Sequence, residues 1–374
     1  MKARVLIIGG YGNFGAYIAQ SLSKEKDIQI IIGGRNAVKG RAFVDSFAAV
    51  RNRPEWCQMD YQDGFDQALE DICPDIVIHT SGPFQDQSYE VALSCIKARC
   101  HYIDLADARD FVVGISELNE SAKKKDTLVV SGASSVPCLT AALIDRYMCE
   151  FKTLHEVDYG IATAQQTNRG LATTSAVLSY AGKPFTTLID GVMRKVIGWQ
   201  DLHFRTLPIV GRRTFANCDV PDLDLFPVRY PDLKTIRFYA GLEVPFIHLG
   251  LWALTWLVRW RIVKSLGSFA PPLLSASRLF DAMGSDVSAF YMDMLGRSET
   301  GEPKKISFNL VANSGDGPYI PCVPAIILAK KLARKEIPTT GAQPCVGLID
   351  LTSYLAELDG LNIHWEDEHY NEGT

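Results

Sequence analysis

Residues 5–19 read VLIIGGYGNFGAYIA, with Gly9, Gly10, Gly12 and Gly15 lying between a branched apolar run and a stretch of helical spacing. Glycine costs backbone entropy and offers no side chain to pack, so its clustering implies that something must approach this backbone closely. Gly10, Gly12 and Gly15 form GxGxxG directly after RVLII (4–8), a buried parallel strand by composition. They precede Asn13 to Ser23, where Phe14, Ile18 and Leu22 recur at helical spacing. In that setting one glycine makes a tight turn, the next opens the amide N–H groups of the helix start to a pyrophosphate, and the third lets helix and strand pack closely. Dinucleotide contacts are therefore predicted at Gly10, Gly12, Asn13, Phe14 and Gly15.

An acidic residue about twenty positions on, at the end of the second strand, would take a ribose 2′-hydroxyl. This chain has Gly33, Gly34, Arg35 and Asn36 there. Arg35 can pair with a 2′-phosphate and stack on adenine, so NADP(H) is favoured over NAD(H), with Asn36 and Asp60 also read as cofactor-binding. HTSGPF (79–84) ends the fourth strand at the carboxyl edge where cofactors lie, and Ser81, Gly82 and Pro83 would bend the chain under the nicotinamide ribose. His79, Asp104 and Asp107 are the candidates for proton transfer. Each has a structural alternative: a hydrogen-bonded core imidazole for His79, helix N-capping for the aspartates.

For the substrate, QQTNRGLATTSAV (165–177) is the strongest segment: Arg169 can clamp a carboxylate bidentately, with Thr173 and Thr174 beside it. The alternative is a polar loop entering a helix capped by Thr173 or Thr174. Arg212 and Arg213 are a second anionic-group candidate or a solvated edge. No HExxH, CxxC or nucleophile elbow occurs, so no metal is expected, and HWEDEH (364–369) reads as a solvated acidic tail.

Six strand-like runs must position these residues: 4–8, 28–34, 56–59, 75–80, 101–106 and 127–132. Helical segments such as 89–99 and 111–125 separate most of them, which implies βαβ units and a parallel sheet. After Pro137 the rhythm breaks into strand-like runs (156–162, 234–240, 306–312) among Pro/Gly loops, and amphipathic helices at 324–337 and 347–358 close the chain. The expected fold is α/β, a Rossmann-type doubly wound parallel sheet (1–135) with an inserted α+β domain for substrate and dimerisation (136–317) and C-terminal helices (318–374) returning to the first domain.

Across 374 residues the net charge is -5, and no cluster of basic residues invites nucleic acid. Nine cysteines without CxxC spacing read as reduced core thiols, and an apolar strand so close to Met1 leaves no room for a secretory leader, which places the chain in the cytoplasm. VPFIHLGLWALTWLV (244–258) is short of a membrane span, which takes about 20 residues. Trp252, Trp256 and Trp260 recur every fourth residue with Arg259, Arg261 and Lys264 following. Two readings stand for 244–264: a core or homodimer helix, or a peripheral membrane contact.

GGYGNFG with GGRN, SGPF followed by YEVALSCIKARCHYIDLAD, VVSGASSVPCLTAAL, and the late GDGPYIPCVPAIILAKKLA and GAQPCVGLIDLTSYL together resemble the saccharopine dehydrogenase family, specifically its short oxidoreductases. The resemblance spans most of the chain and is weakest between 185 and 300. It implies an NAD(P)-dependent oxidoreductase with a Rossmann domain; the reading adopted is hydride transfer between NADP(H) and a C=O, C=N or activated C=C of a small substrate, with an apolar one as the option that the tryptophan-rich helix motivates. Where saccharopine-forming reductases have DPG after the sixth strand, this chain has Ser134, Ser135, Val136 and Pro137; where relatives often carry Gly-Glu after the fifth, it has Asp107 and Ala108. Two alternatives follow: a dinucleotide-binding sensor or scaffold without turnover, and a membrane-surface reductase of lipid-like enoyl or keto groups.

Overall fold

Branched apolar residues at positions 5–8 demand cover on both faces. The structure, a computed structural model describing residues 2–48 and 52–371, supplies it with a seven-stranded sheet. Sixteen strands are numbered along the described chain. The first six are β1 Ala3–Ile8, β2 Ile28–Gly34, β3 Glu55–Gln58, β4 Ile76–His79, β5 His101–Asp104 and β6 Leu128–Ser131. With β15, Gly341–Pro344, they stand in the order β3-β2-β1-β4-β5-β6-β15. Every neighbouring pair is parallel, which is the Rossmann-type order, and its reversal point lies between β1 and β4.

Two compact units divide the chain: one runs to Leu139 and includes Tyr319–Glu357, the other is Thr140–Pro318 with the chain from Leu358 onward. The third segment expected at 318–374 is thereby split. Helices Val323–Ala333 and Leu351–Ala356 belong to the first unit. The former is tied to the end of the first helix by Lys330 and Arg334, which reach Glu25 at 3.3 and 2.6 Å. HWEDEH, by contrast, is no free tail: it lies in β16, Ile363–Asn371, paired antiparallel with β14, Pro303–Ala312. Its charged, exposed side chains suit an edge strand, where they discourage pairing with another chain.

The second unit is α+β. Its strands are β7 Thr153–Thr163, the hairpin β8 Pro184–Ile189 and β9 Val192–Ile197, then β10 His203–Leu207, β11 Gly211–Asn217, β12 Thr235–Leu242 and β13 Ser288–Arg297. The main sheet runs β10-β11-β12-β7-β13-β14-β16 and is antiparallel except where β12 meets β7. Tyr159, Phe215, Phe226, Tyr291 and Phe308 fill its core. Six cysteines are buried, as expected of core thiols, whereas Cys73 and Cys149 are exposed. Among the described residues no helix is long and apolar enough to cross a membrane.

Candidate dinucleotide-binding site

The turn between β1 and the helix Asn13–Leu22 is built from its glycines. Gly9 holds φ +76°, and a Cβ there would lie 2.4 Å from Ser81 Oγ, so the left-handed turn belongs to the glycine just ahead of the GxGxxG motif. A Cβ on Gly15 would sit 2.5 Å from the Gly9 carbonyl oxygen and 2.7 Å from Gly10 Cα, both backbone, so helix and strand can be this close only with glycine. Gly12 is different: it is exposed, and its only near neighbour is the Gly9 carbonyl oxygen at 3.0 Å. It occupies the N-cap position of the helix with no side chain capping the first turn, which leaves the positive end of the helix open to an anion. A glycine turn packed too closely for Cβ atoms at 9 and 15, leading into an uncapped helix N-terminus at the reversal point of the sheet, fits a dinucleotide pyrophosphate.

The end of β4 closes one wall of this turn. Thr80, which sequence patterning missed, donates its hydroxyl to the Ile8 carbonyl at 2.8 Å and lies beside both Gly9 and Gly15. Ser81 and Pro83 follow, their carbonyls accepting from Gln87 Nε2 at 2.9 and 2.8 Å. Gly82 and Pro83 are joined by a cis peptide.

At the end of β2, Arg35 keeps a side-chain exposure of 74% and lies 4.0 Å from the Asp60 carboxylate. Asn36 caps the next helix, its side chain accepting from Lys39 N, while its own N–H donates to the Tyr11 hydroxyl at 3.1 Å. The Tyr11 ring lies against Gly34, where a Cβ would come within 2.4 Å of it. Tyr11 is thus a second residue absent from the predicted set, because its GxGxxG position tolerates any side chain and only tertiary structure brings it to the β2 end.

The three proton-transfer candidates separate. His79 is 1% exposed and enclosed by the rings of Tyr61, Phe84 and Tyr102. Its Nδ1 meets the Tyr102 hydroxyl at 3.2 Å, and burial pushes its pKa down to about 3. It is a neutral core imidazole, which corrects its assignment as a proton donor. Asp104 is fully buried, and one carboxylate oxygen accepts from Ala106 N, Ser131 Oγ and Gly132 N, each at 2.9 Å. Burial raises its pKa to about 6 against the pull of those donors; its observed work is to fasten β5 to the turn after β6. Asp107 is half-buried, accepts from Gln85 Nε2 at 3.2 Å, and burial raises its pKa too.

The substrate candidates lie in the second unit. Arg169 is an internal partner there: it pairs with Asp281 and donates to Ser277 Oγ, so in this structure it is no open carboxylate clamp. The helix Leu171–Tyr180 starts at Gly170 without a side-chain cap. The capping reading of Thr173 and Thr174 is thereby corrected: both lie inside the first turn, Thr174 Oγ1 donating back to the Gly170 carbonyl at 3.1 Å. Arg213 pairs with Glu243 at 3.0 Å, which takes it out of the solvated edge that was the alternative reading, whereas Arg212 is exposed over the equally exposed Phe204 ring and fits that reading.

Residues 5–130 match the family described as saccharopine dehydrogenase NADP binding domain. Among solved structures, saccharopine dehydrogenase (L-Glu forming) from Saccharomyces cerevisiae superposes with a TM-score of 0.68 at 12% identity, over 98% of this chain and 100% of that one. An amine dehydrogenase from Mycobacterium smegmatis gives 0.48 at 10% identity, over 92% and 95%. A probable dehydrogenase from Thermotoga maritima also gives 0.48 at 10% identity, over 95% and 93%. No curated protein matches the sequence. At these identities the likeness to the yeast enzyme is one of fold.

Proposed function

Residues 5–130 are a saccharopine dehydrogenase-type NADP-binding domain, and from that premise we propose that the chain is an NADP(H)-dependent oxidoreductase acting on a C=O, C=N or activated C=C of a small substrate. The observation that carries the proposal is the turn of Gly9 to Gly15: Gly9 and Gly15 leave no space for a side chain, and the exposed Gly12 opens the helix N-terminus with no side chain capping it. Gly10, Gly12, Asn13, Phe14 and Gly15 would hold the two phosphates, Ser81, Gly82 and Pro83 the nicotinamide ribose, and Arg35 with Asn36 the adenosine end. When bound, the dinucleotide supplies or accepts a hydride.

NADP(H) is preferred because Arg35 extends into solvent, 74% exposed, with the Asp60 carboxylate at 4.0 Å, the limit of an ion pair, so its guanidinium can turn to a 2′-phosphate. For proton delivery Asp107 is the fitting group of the three. Its half-buried carboxyl, with a raised pKa, can hold a proton nearer neutral pH than an exposed carboxyl would.

The test is calorimetric titration with NADPH and NADH, followed by absorbance assays over a panel of carbonyl, imine and enone compounds. Saturable NADPH binding with turnover of at least one compound class, lost in Asp107→Asn while binding persists, is the expected result. Binding with no turnover across the panel would convert the enzyme to a dinucleotide sensor. No heat with either nucleotide would remove the proposal altogether.

A further inference from the structure

The helix Pro245–Arg259 in the second unit packs Val258, Leu251, Trp252 and Leu254 on a core cluster, yet also keeps apolar residues on its exposed side. Its inward face carries the polar side chains: His248 and Thr255 are fully buried, with Gln200 donating to Thr255 Oγ1 and His248 Nδ1 accepting from Leu242 N at 3.2 Å. One exposed stripe, spaced by three and four residues and running just past the helix end, is Phe246, Leu249, Gly250, Ala253 and Trp260, all apolar, with the half-buried Trp256 beside it and the exposed Arg259 next to that ring. A helix on a globular unit ordinarily turns its charged side to water. Here Phe246, Leu249 and Trp260 are 44, 46 and 65% exposed. The apolar surface continues sideways, because the Phe246 ring meets Phe280 at 4.8 Å and Phe280 is flanked by Leu279, 81% exposed.

Charge distinguishes the occupants of such a face. From Val244 to Phe280 the chain has no Asp or Glu but carries Arg259, Arg261, Lys264 and Arg278, although the whole protein is net negative. A two-fold interface between copies would set this cationic surface against itself, leaving like charges unpaired across the contact. An anionic lipid surface meets both features: phosphates pair with the cations, and indole rings take the boundary between headgroup and acyl chain.

We propose that this face docks the protein on an anionic membrane surface, with Trp256 and Trp260 at headgroup depth and Arg259, Arg261 and Lys264 against lipid phosphates. The guanidinium of Arg259 already lies over the Trp256 ring, its carbon 4.7 Å from the centroid, which holds a cation and an aromatic ring at the same level. The contact is peripheral, since no described helix can cross a bilayer.

Co-sedimentation of the full chain with vesicles of phosphatidylcholine plus phosphatidylglycerol, against vesicles of phosphatidylcholine alone, tests this. Binding to the mixed vesicles, a blue shift of tryptophan emission and release by salt are expected. Two variant sets should each lower the partition coefficient about tenfold or more: Leu249→Glu with Trp260→Glu, and Arg259→Gln with Arg261→Gln and Lys264→Gln. The charge set leaves the apolar surface intact, so it keeps the test valid should the first set fold poorly. Wild-type protein left in the supernatant with mixed vesicles overturns the proposal. So does a sedimentation-velocity dimer that the glutamate variants convert to monomer, which would assign the face to a second copy.

Discussion

The two units solve the problem of polar chemistry in opposite ways. In the first, the groups suited to a ligand are backbone N–H groups and carbonyls exposed by glycine, held by a parallel sheet whose β1 and β4 are almost wholly buried. In the second, side chains carry the charge and use it on one another. Arg205 reaches Asp293 at 2.7 Å, Lys305 reaches the same carboxylate at 2.9 Å, and Glu243 accepts from Gln165 N, Ser285 N, Ser285 Oγ and Arg213. A turn made of glycine therefore signals a ligand more dependably than a concentration of arginines, because a backbone cradle has little else to do and an arginine readily finds an internal carboxylate.

The largest expected break in that contrast is at Glu243, which is only 9% exposed in its side chain. Glu243→Ala strands Arg213 and two backbone donors, and thermal or denaturant unfolding should show a loss of about 3–5 kcal/mol. Full stability would mean that the charges of the second unit are free for other work after all.

Next is Arg35→Ala. It should weaken NADPH by about 1.5 kcal/mol, the low end for a charged hydrogen bond because the side chain is exposed, and leave NADH almost unchanged; titration calorimetry reads both, and equal losses would reassign Arg35.

A pH dependence sharpens the comparison further. Asp222 is fully buried, accepts from Thr140 Oγ1 at 2.7 Å and Tyr159 hydroxyl at 2.9 Å, and burial pushes its pKa up to about 7 from 3.8. The folded state thus binds this proton more tightly than the unfolded chain. Its contribution favours folding below the unfolded value and is lost as pH rises through the folded one, by up to about 1.4 kcal/mol per pH unit. The stability difference between wild type and Asp222→Asn, measured from pH 4 to 7.5 by denaturant unfolding (~ window set by the two pKa values), should carry that slope; a flat difference would show an ordinary carboxyl. The smallest effect is expected for Tyr11→Phe, which frees one amide at the edge of the first unit and should cost about 0.5–1 kcal/mol in unfolding experiments.

Legibility followed the same division. The β1 turn, its helix and the alternation to β6 were readable because each depends on local pattern: an apolar run, glycine spacing, a 3.6-residue period. β15 was missed because Gly341–Pro344 offers no apolar run and pairs only once a distant β6 is in place. Helix 111–125 was expected whole but is interrupted, with Arg109–Gly114, a tighter turn at 115–118 and Asn119–Lys123 in succession. In the second unit β8 to β11 went unread because PFTTLI, VMRKVI, HFRTL and GRRTFAN show no steady alternation of polar and apolar residues that would announce a face.

The order of residues alone determined that a parallel sheet begins this chain and that its first turn is bare backbone, since glycine content and periodicity act over a few neighbouring positions. Tertiary structure decided which polar side chains remain available. It enclosed His79 in three aromatic rings, gave Asp104 to the turn after β6 and Arg169 to Asp281, and left Asp107 half-exposed. The physical reason is that a side chain's protonation and freedom depend on burial and on partners far away in sequence, here 28 residues from Asp104 to Gly132 and 112 from Arg169 to Asp281.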